Sequence, residues 1–379
     1  MRIIVSCGRK FHSDHIGAAL LRQKALERVI TANPPFSYRR QPSLEGHVTH
    51  TLPYYVAGLL LARLPVLRWF APEFDWWASR SFDRDVANRL RKVDVLLAFA
   101  WSARKSFERA HELGIRCILE ECGSANLHQE RILSKEYEHL GLPYRNRIAK
   151  RVIANERREC ELADIILCPS EYVANSFSAY GIPRSKCLVI PYATNPRFIA
   201  DAPKEPGESL NILFVGSVGV RKGVIYLLKA LALLNDQRIT CTVIGRLDPD
   251  LAPLLEPYRG HFHHISNVPH GEMPAHFAAA HVFVLPTLDE GMAYVVMEAL
   301  ASGTPVITTP NSGADGIVRH GKNGFIVPIR NENAIAEALS QCLENPALVR
   351  ELSAAALATA TAWSWDDYVQ RLLETLANH

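Results

Sequence analysis

Short runs of β-branched and aliphatic residues alternate with longer amphipathic stretches along the chain, and this rhythm limits what it can fold into more than any single motif does. Strands separated by a helix's worth of residues pair in parallel through helical crossovers, which predicts doubly wound α/β sheets covered on both faces. In the first half the expected strands are 2–6, 93–98, 116–120, 164–168 and 188–191. The second half repeats the rhythm at 211–215, 240–244, 281–285, 305–308 and 325–327. At 379 residues the chain is too long for one ordinary core and about right for two. The stretch 199–209 carries Pro203, Pro206 and Gly207 without an apolar period and reads as a linker. The expectation is α/β, with two Rossmann-like domains facing a central cleft. These are 1–198 and 210–363, and a last helix at about 364–379 packs back on the first. Residues 33–80, rich in Pro, Tyr and Trp, fit neither period and read as an insertion or irregular excursion.

A hydrophobic fraction of 48% with 21% charged residues is that of a soluble globular protein. The longest apolar candidate for a membrane span, 56–62, stops at Arg63 and is too short to cross a bilayer. Met1 and Arg2 lead straight into Ile3-Ile4-Val5, a first strand and not a signal peptide. Eight cysteines are scattered, several inside strand-like runs such as those of Cys168 and Cys241, which suggests free thiols in a reducing cytoplasm. The nearest pair, Cys117 and Cys122, reads as a strand end. No CxxC and no compact DxD is present, and His263-His264 lacks ligand spacing, so no metal is expected. The first strand is not followed by GxGxxG, which argues against a dinucleotide oxidoreductase. Residues 1–200 carry a net +10 and residues 201–379 a net −7. A basic half suggests an anionic partner, for which a membrane surface, a lipid diphosphate or nucleic acid would each fit.

The strongest local signal is the buried strand 281–285 with Pro286, followed by Thr287-Leu288-Asp289-Glu290-Gly291 and a helical run at 292–302. Gly291 is expected to open that helix, whose free N–H groups can bind an anion. Glu298 lies eight residues beyond Glu290, roughly 12 Å along the axis at about 1.5 Å per residue. That spacing suits a ligand with hydroxyls at both ends and a diphosphate between them, as in a nucleotide sugar. An isolated pair of glutamates would be surface caps, but three further features accompany this one. Phe214-Val215-Gly216 is followed by Arg221-Lys222-Gly223, two cations where a strand-to-helix turn opens onto the cleft. Gly303-Thr304-Pro305-Val306-Ile307 begins another strand that ends in the loop 311–313, and Gly321-Lys322-Asn323-Gly324-Phe325 turns into one more.

Together these stretches resemble the retaining glycosyltransferases of family 4, which have the GT-B fold. The matching pieces are FVGSVGVRKG, LPTLDEGMAYVVMEALASGTPVI and HGKNGFIVPI followed by a helical tail. The likeness is specific over roughly 155–379 and weaker before. It implies that Glu290 binds the donor sugar's hydroxyls, Glu298 the ribose, and Arg221 with Lys222 the diphosphate, helped by backbone N–H groups after Gly291, at Met292 and Ala293. Gly216 and Ser217 belong to the same donor loop; the family usually has Arg where Ser217 stands, so Arg221 supplies the second positive charge. In the first loop, 8–17, one glycine remains near the helix start where relatives carry adjacent ones. His12 and His15 there are acceptor candidates, a solvated loop being the alternative. Relatives place a histidine near the reacting sugar close to 121–128, which makes His128 the candidate and Asn126 the alternative.

The resemblance further implies retaining, metal-independent transfer without a cofactor, from a UDP- or GDP-linked sugar to a glycan or lipid-linked acceptor, in bacterial-type polysaccharide or glycolipid synthesis. A nucleotide-sugar epimerase on the same architecture is one alternative. A non-catalytic binding subunit is another, against which the intact Glu290, Glu298, Arg221 and Lys222 speak. The basic first half, with apolar 54–67 and Trp69, Trp76 and Trp77, suggests a cytoplasmic protein peripherally docked on an anionic membrane; nucleic acid is not expected as a partner.

Overall fold

The computed structural model describes residues 1–9, 11–38, 41–51, 71–145, 147–205 and 207–378. The first domain contributes β1 (Ile3–Cys7), β2 (Leu26–Thr31), β3 (Val48–His50), β4 (Val95–Phe99), β5 (Arg116–Glu120), β6 (Ile165–Cys168) and β7 (Cys187–Val189), ordered β3-β2-β1-β4-β5-β6-β7. The second contributes β8 (Leu210–Val215), β9 (Ile239–Ile244), β10 (His263–Ile265), β11 (Val282–Leu285), β12 (Val306–Thr308) and β13 (Gly324–Ile326), ordered β10-β9-β8-β11-β12-β13. Pairing within both sheets is parallel. Two doubly wound α/β domains are thus confirmed, and all ten expected strands form within two residues of their expected ends.

Three strands escaped the sequence reading. β2 opens on Leu26-Glu27-Arg28, half of it exposed, so its charges hid the apolar end. β3 and β10 are three-residue edge strands, which bond one neighbour and need no continuous apolar run. The run at 292–302 also starts later than expected: its helix is Tyr294–Ala301. The loop before it is held instead by Glu290 N–H to Asn311 O (2.9 Å) and Ala293 N–H to Ser312 O (3.2 Å). Half of the span from Glu290 to Glu298 is therefore loop, and the 12 Å axial spacing does not apply.

Each sheet reverses its strand order once, between β1 and β4 and between β8 and β11. At such a switch point the loops leaving the carboxyl ends of neighbouring strands part and open a crevice. The two crevices face each other, and the domains approach closely at Gly291, where a Cβ would lie 2.1 Å from the Cys122 carbonyl oxygen.

The described residues of the stretch 199–209, which are 199–205 and 207–209, are irregular but pinned to the second domain. Ala200 N–H donates to Ala301 O (2.9 Å), and buried Lys204 Nζ donates to the carbonyls of Phe277 (2.8 Å) and Ala278 (2.7 Å). The last helix, Trp365–Asn378, lies on the helix Ser13–Arg22. Arg22 pairs with Asp366 at 2.9 Å, and the Tyr368 hydroxyl donates to Glu120 at 2.8 Å. All eight cysteines are free. Among the described residues no helix is long and apolar enough to cross a membrane. The apolar segment 54–67 and Trp69 lie outside the described residues.

Candidate active site

After β8 the chain makes a 3-10 turn, Val220–Lys222, and Gly223 at φ +66° admits the helix Val224–Leu234. A Cβ on Gly223 would lie 2.0 Å from the Pro286 carbonyl oxygen, so only glycine lets this turn meet the loop after β11. The two loops are zipped together: the Arg221 carbonyl accepts from Leu288 N–H (2.8 Å) and from Thr287 Oγ1 (3.0 Å). This brings Lys222 Nζ to 2.5 Å from Glu290 Oε1, and the Arg221 guanidinium to the same oxygen. Arg221 also donates to the Asp289 carbonyl at 2.9 Å. Burial alone would raise the Glu290 carboxyl, but Lys222 and Arg221 outweigh it and hold the group below its ordinary value. Lys222, 8% exposed, is itself drawn down by burial against the pull of Glu290. Gly216 backs this lysine, its own Cβ position 3.4 Å from Lys222 Cε, and Ser217 stands exposed at the turn.

Glu298 sits on the helix Tyr294–Ala301, 9% exposed, without a hydrogen bond or ion pair among the described residues. Burial raises its carboxyl to about 7. In the lead-in to that helix, Ser170 Oγ donates to the Gly291 carbonyl (2.7 Å) and Tyr192 N–H points at Met292 Sδ (3.2 Å). The Ala293 N–H is spent on Ser312, so Ala293 is not a free donor for an anion.

Asp289 was not singled out from the sequence, yet it joins the domains. Its carboxylate is wholly buried and accepts from Ser124 Oγ (2.6 Å), the Tyr172 hydroxyl (2.7 Å) and Gln129 Nε2 (2.7 Å), all from the first domain. His128 Nε2 lies 3.1 Å from the Tyr172 hydroxyl, so His128 stands behind Tyr172. Burial lowers the His128 imidazole, against the pull of Asp289. Asn126 is the one of the two candidates that lines the cleft, with its amide on Glu156 (2.7 Å).

Between the domains lies a cavity of about 570 Å³. Arg221, Asp289, Glu290 and Gly291 close it on one side. On the other stand Arg9 and Phe11 after β1, Trp101 after β4 and Glu121 after β5. A second hollow, of about 540 Å³, lies at the opposite end of β9, and its Asp236 is tied to Arg238. His12 is not at the cavity. It is 2% exposed, bonded to Glu120 Oε1 at 2.9 Å and packed against Tyr192 and Trp365. His15 stacks on the same Trp365. Both acceptor candidates belong instead to the seat of the last helix, which the loop sequence does not reveal. Of the described residues, His111, Cys117 and Asp164 form a trio spaced for a metal ion, at the amino end of β5, away from the cavity.

Two facing parallel sheets with a cation-carboxylate site at the second switch point define a GT-B protein, and comparison places it further. Residues 197–359 match the family model described as glycosyl transferases group 1, so this stretch is similar to that group. It is 33% identical over 178 residues to a D-inositol 3-phosphate glycosyltransferase of Streptomyces griseus, covering 42% of this chain and 37% of that one. It is 28% identical over 249 residues to a GDP-mannose-dependent alpha-(1-6)-phosphatidylinositol monomannoside mannosyltransferase of Mycobacterium tuberculosis, covering 58% and 63%. The chain thus spans less than two thirds of the length of these relatives. HepE of Anabaena in complex with UDP superposes with a TM-score of 0.67 over 100% of both chains at 16% identity, which shows the shared fold. The two relatives are named as a glycosyltransferase and a mannosyltransferase, and neither name supports an epimerase.

Proposed function

We propose that the protein transfers a sugar, with retention of configuration and without a metal ion, from a UDP- or GDP-linked donor to a glycan or lipid-linked acceptor. The observation that carries this reading is the cluster of Lys222, Arg221 and Glu290 at the switch point, followed along the chain by Glu298, which is buried and without a partner among the described residues. A diphosphate offers the two cations a stronger partner than one carboxylate does, and their exchange frees Glu290 for the sugar's hydroxyls. Glu298 faces the nucleoside's ribose. The relatives support both donor bases: one is named GDP-mannose-dependent, and HepE was also solved with UDP-glucose.

In the transfer, the bond from the anomeric carbon to the phosphate oxygen breaks and its electron pair stays on the nucleoside diphosphate. The acceptor oxygen bonds to the same face of that carbon, and its proton passes to the departing phosphate. Cations fixed on the leaving group lower the barrier where negative charge develops. A front-face course is favoured over a covalent intermediate because neither carboxylate of the loop after β11 is left as a nucleophile: Asp289 is held by three donors, and Glu290 is assigned to the sugar's hydroxyls.

A panel of UDP- and GDP-sugars, read by melting temperature and nucleoside diphosphate release, tests the reading. One donor is expected to raise the melting temperature and to turn over equally in strong chelator. No shift with any donor would refute the transfer, and chelator loss restored by magnesium or manganese would refute metal independence.

The basic first half supports a second element of the proposal, reversible docking on an anionic membrane from the cytoplasmic side. Each Lys or Arg near an anionic leaflet contributes about 1 kcal/mol, screened over roughly 8 Å at physiological salt. Sedimentation with anionic vesicles is expected to weaken as salt rises. Equal binding to neutral vesicles, or none at low salt, would rule docking out.

A further inference from the structure

The cavity extends past the groups assigned to the donor, and its far wall has a chemistry of its own. Arg9, which lines it, is already paired with Asp75 at 2.9 Å, and Arg221 is paired with Glu290. Glu156 holds Asn126 through its side-chain amide (2.7 Å) and its backbone N–H (3.0 Å). Buried Glu121 also lines the cavity, and among the described residues its carboxyl receives only the Cys160 thiol, at 3.8 Å. A carboxyl withdrawn from bulk water and left without a proper donor costs free energy unless a ligand supplies one.

Above these acids stands Trp101, 43% exposed and at φ +74°, a backbone conformation that a bulky side chain rarely takes. Its N–H donates to Glu159 (2.8 Å) and its carbonyl is gripped by Arg80, so a buried network holds the indole out at the cavity mouth. Trp76 flanks the same opening.

A phosphate or carboxylate bound here would find no free cation among the described lining residues, since Arg9 is paired with Asp75 and Arg221 with Glu290. An uncharged sugar ring needs no such cation: its C–H face packs on an indole and its hydroxyls pair with the acids. Resting on the glycosyl-transfer reading, we propose that the acceptor is an uncharged sugar ring that lies on Trp101 and hydrogen-bonds Glu121 and Glu156. Its hydroxyl oxygen takes the anomeric carbon, its proton goes to the departing phosphate, and nucleoside diphosphate leaves. Burial raises Glu156 to about 8, and burial with Glu156 and Glu159 nearby raises Glu121, so that both can donate as well as accept at neutral pH. The Streptomyces griseus relative is named for a phosphorylated acceptor, and this wall points the other way.

The test uses the full chain, the donor that shifts its melting temperature, and matched acceptors: p-nitrophenyl hexosides, hexose 6-phosphates, hexuronic acids and inositol 3-phosphate. A neutral hexoside is expected to be used with kcat/KM at least about tenfold above any phosphorylated or acidic acceptor. Glu121→Gln and Trp101→Ala are each expected to raise the neutral acceptor's KM about tenfold while the donor's KM moves less than about twofold. A phosphorylated or acidic acceptor used as well as the neutral ones, or unchanged acceptor KM in both variants, overturns this inference and leaves sugar transfer standing. A chain that binds no nucleotide sugar overturns both.

Discussion

Replacing Lys222 with alanine is expected to lower turnover by about a thousandfold, close to 4 kcal/mol of transition-state stabilisation. The lysine is buried beside Glu290, where low dielectric would strengthen the hold on a leaving diphosphate proposed for it, and Arg221 alone reaches the site from a more exposed position. Breaking a buried ion pair costs stability too, up to about 3–5 kcal/mol when the remaining charge is stranded. Here Arg221 stays on Glu290, so the loss of folding stability should fall below that range. Glu290→Gln tests the other half: it leaves two cations without their carboxylate and weakens the grip on the sugar's hydroxyls. Steady-state kinetics beside a thermal melt separates the two effects. Turnover within tenfold of the parent in folded Lys222→Ala would remove the lysine from the mechanism.

Asp289→Ala should be nearly as damaging, with turnover down about a hundredfold, through the geometry of the two domains. The substitution leaves Ser124, Tyr172 and Gln129 without their common acceptor, and hydrogen bonds to a charged group contribute about 1.5–3 kcal/mol each. Asp289 immediately precedes Glu290, so the contact that joins the domains also sets the carboxylate proposed to hold the sugar. Small-angle scattering should show a larger radius of gyration for Asp289→Ala, and Asp289→Asn should recover part of the turnover because its amide oxygen still accepts. A parent-like radius together with parent-like turnover would show that the contact is incidental.

Much of this molecule is legible in the chain because its causes are local. A buried parallel strand needs a continuous apolar run, and β4, β5 and β11 have one. The cluster of Arg221, Lys222 and Glu290 comes from two loops at the carboxyl ends of strands, where a parallel sheet gathers its loops, and β8 and β11 are neighbours in that sheet. The start of the helix Tyr294–Ala301 was misread because the loop before it is held by residues some twenty positions later, and by a domain that leaves no room at Gly291 for a side chain.

What only the tertiary structure decided lies in contacts between residues far apart in sequence. Tyr172 and Asp289 are 117 positions apart, and no periodicity links them. His12 looked like a loop residue because nothing near it announces that Trp365, on the last helix, will cover it. Glu121 reads as the first residue of the loop after strand 116–120, and its burial beside Glu156 depends on how the helix Lys150–Leu162 lies across the sheet. Apolar pattern and turn chemistry specify which segments become strands and helices, and thereby the switch points. The partners of a buried polar group are set by the docking of whole elements, where burial lets one unpaired atom outweigh any local preference.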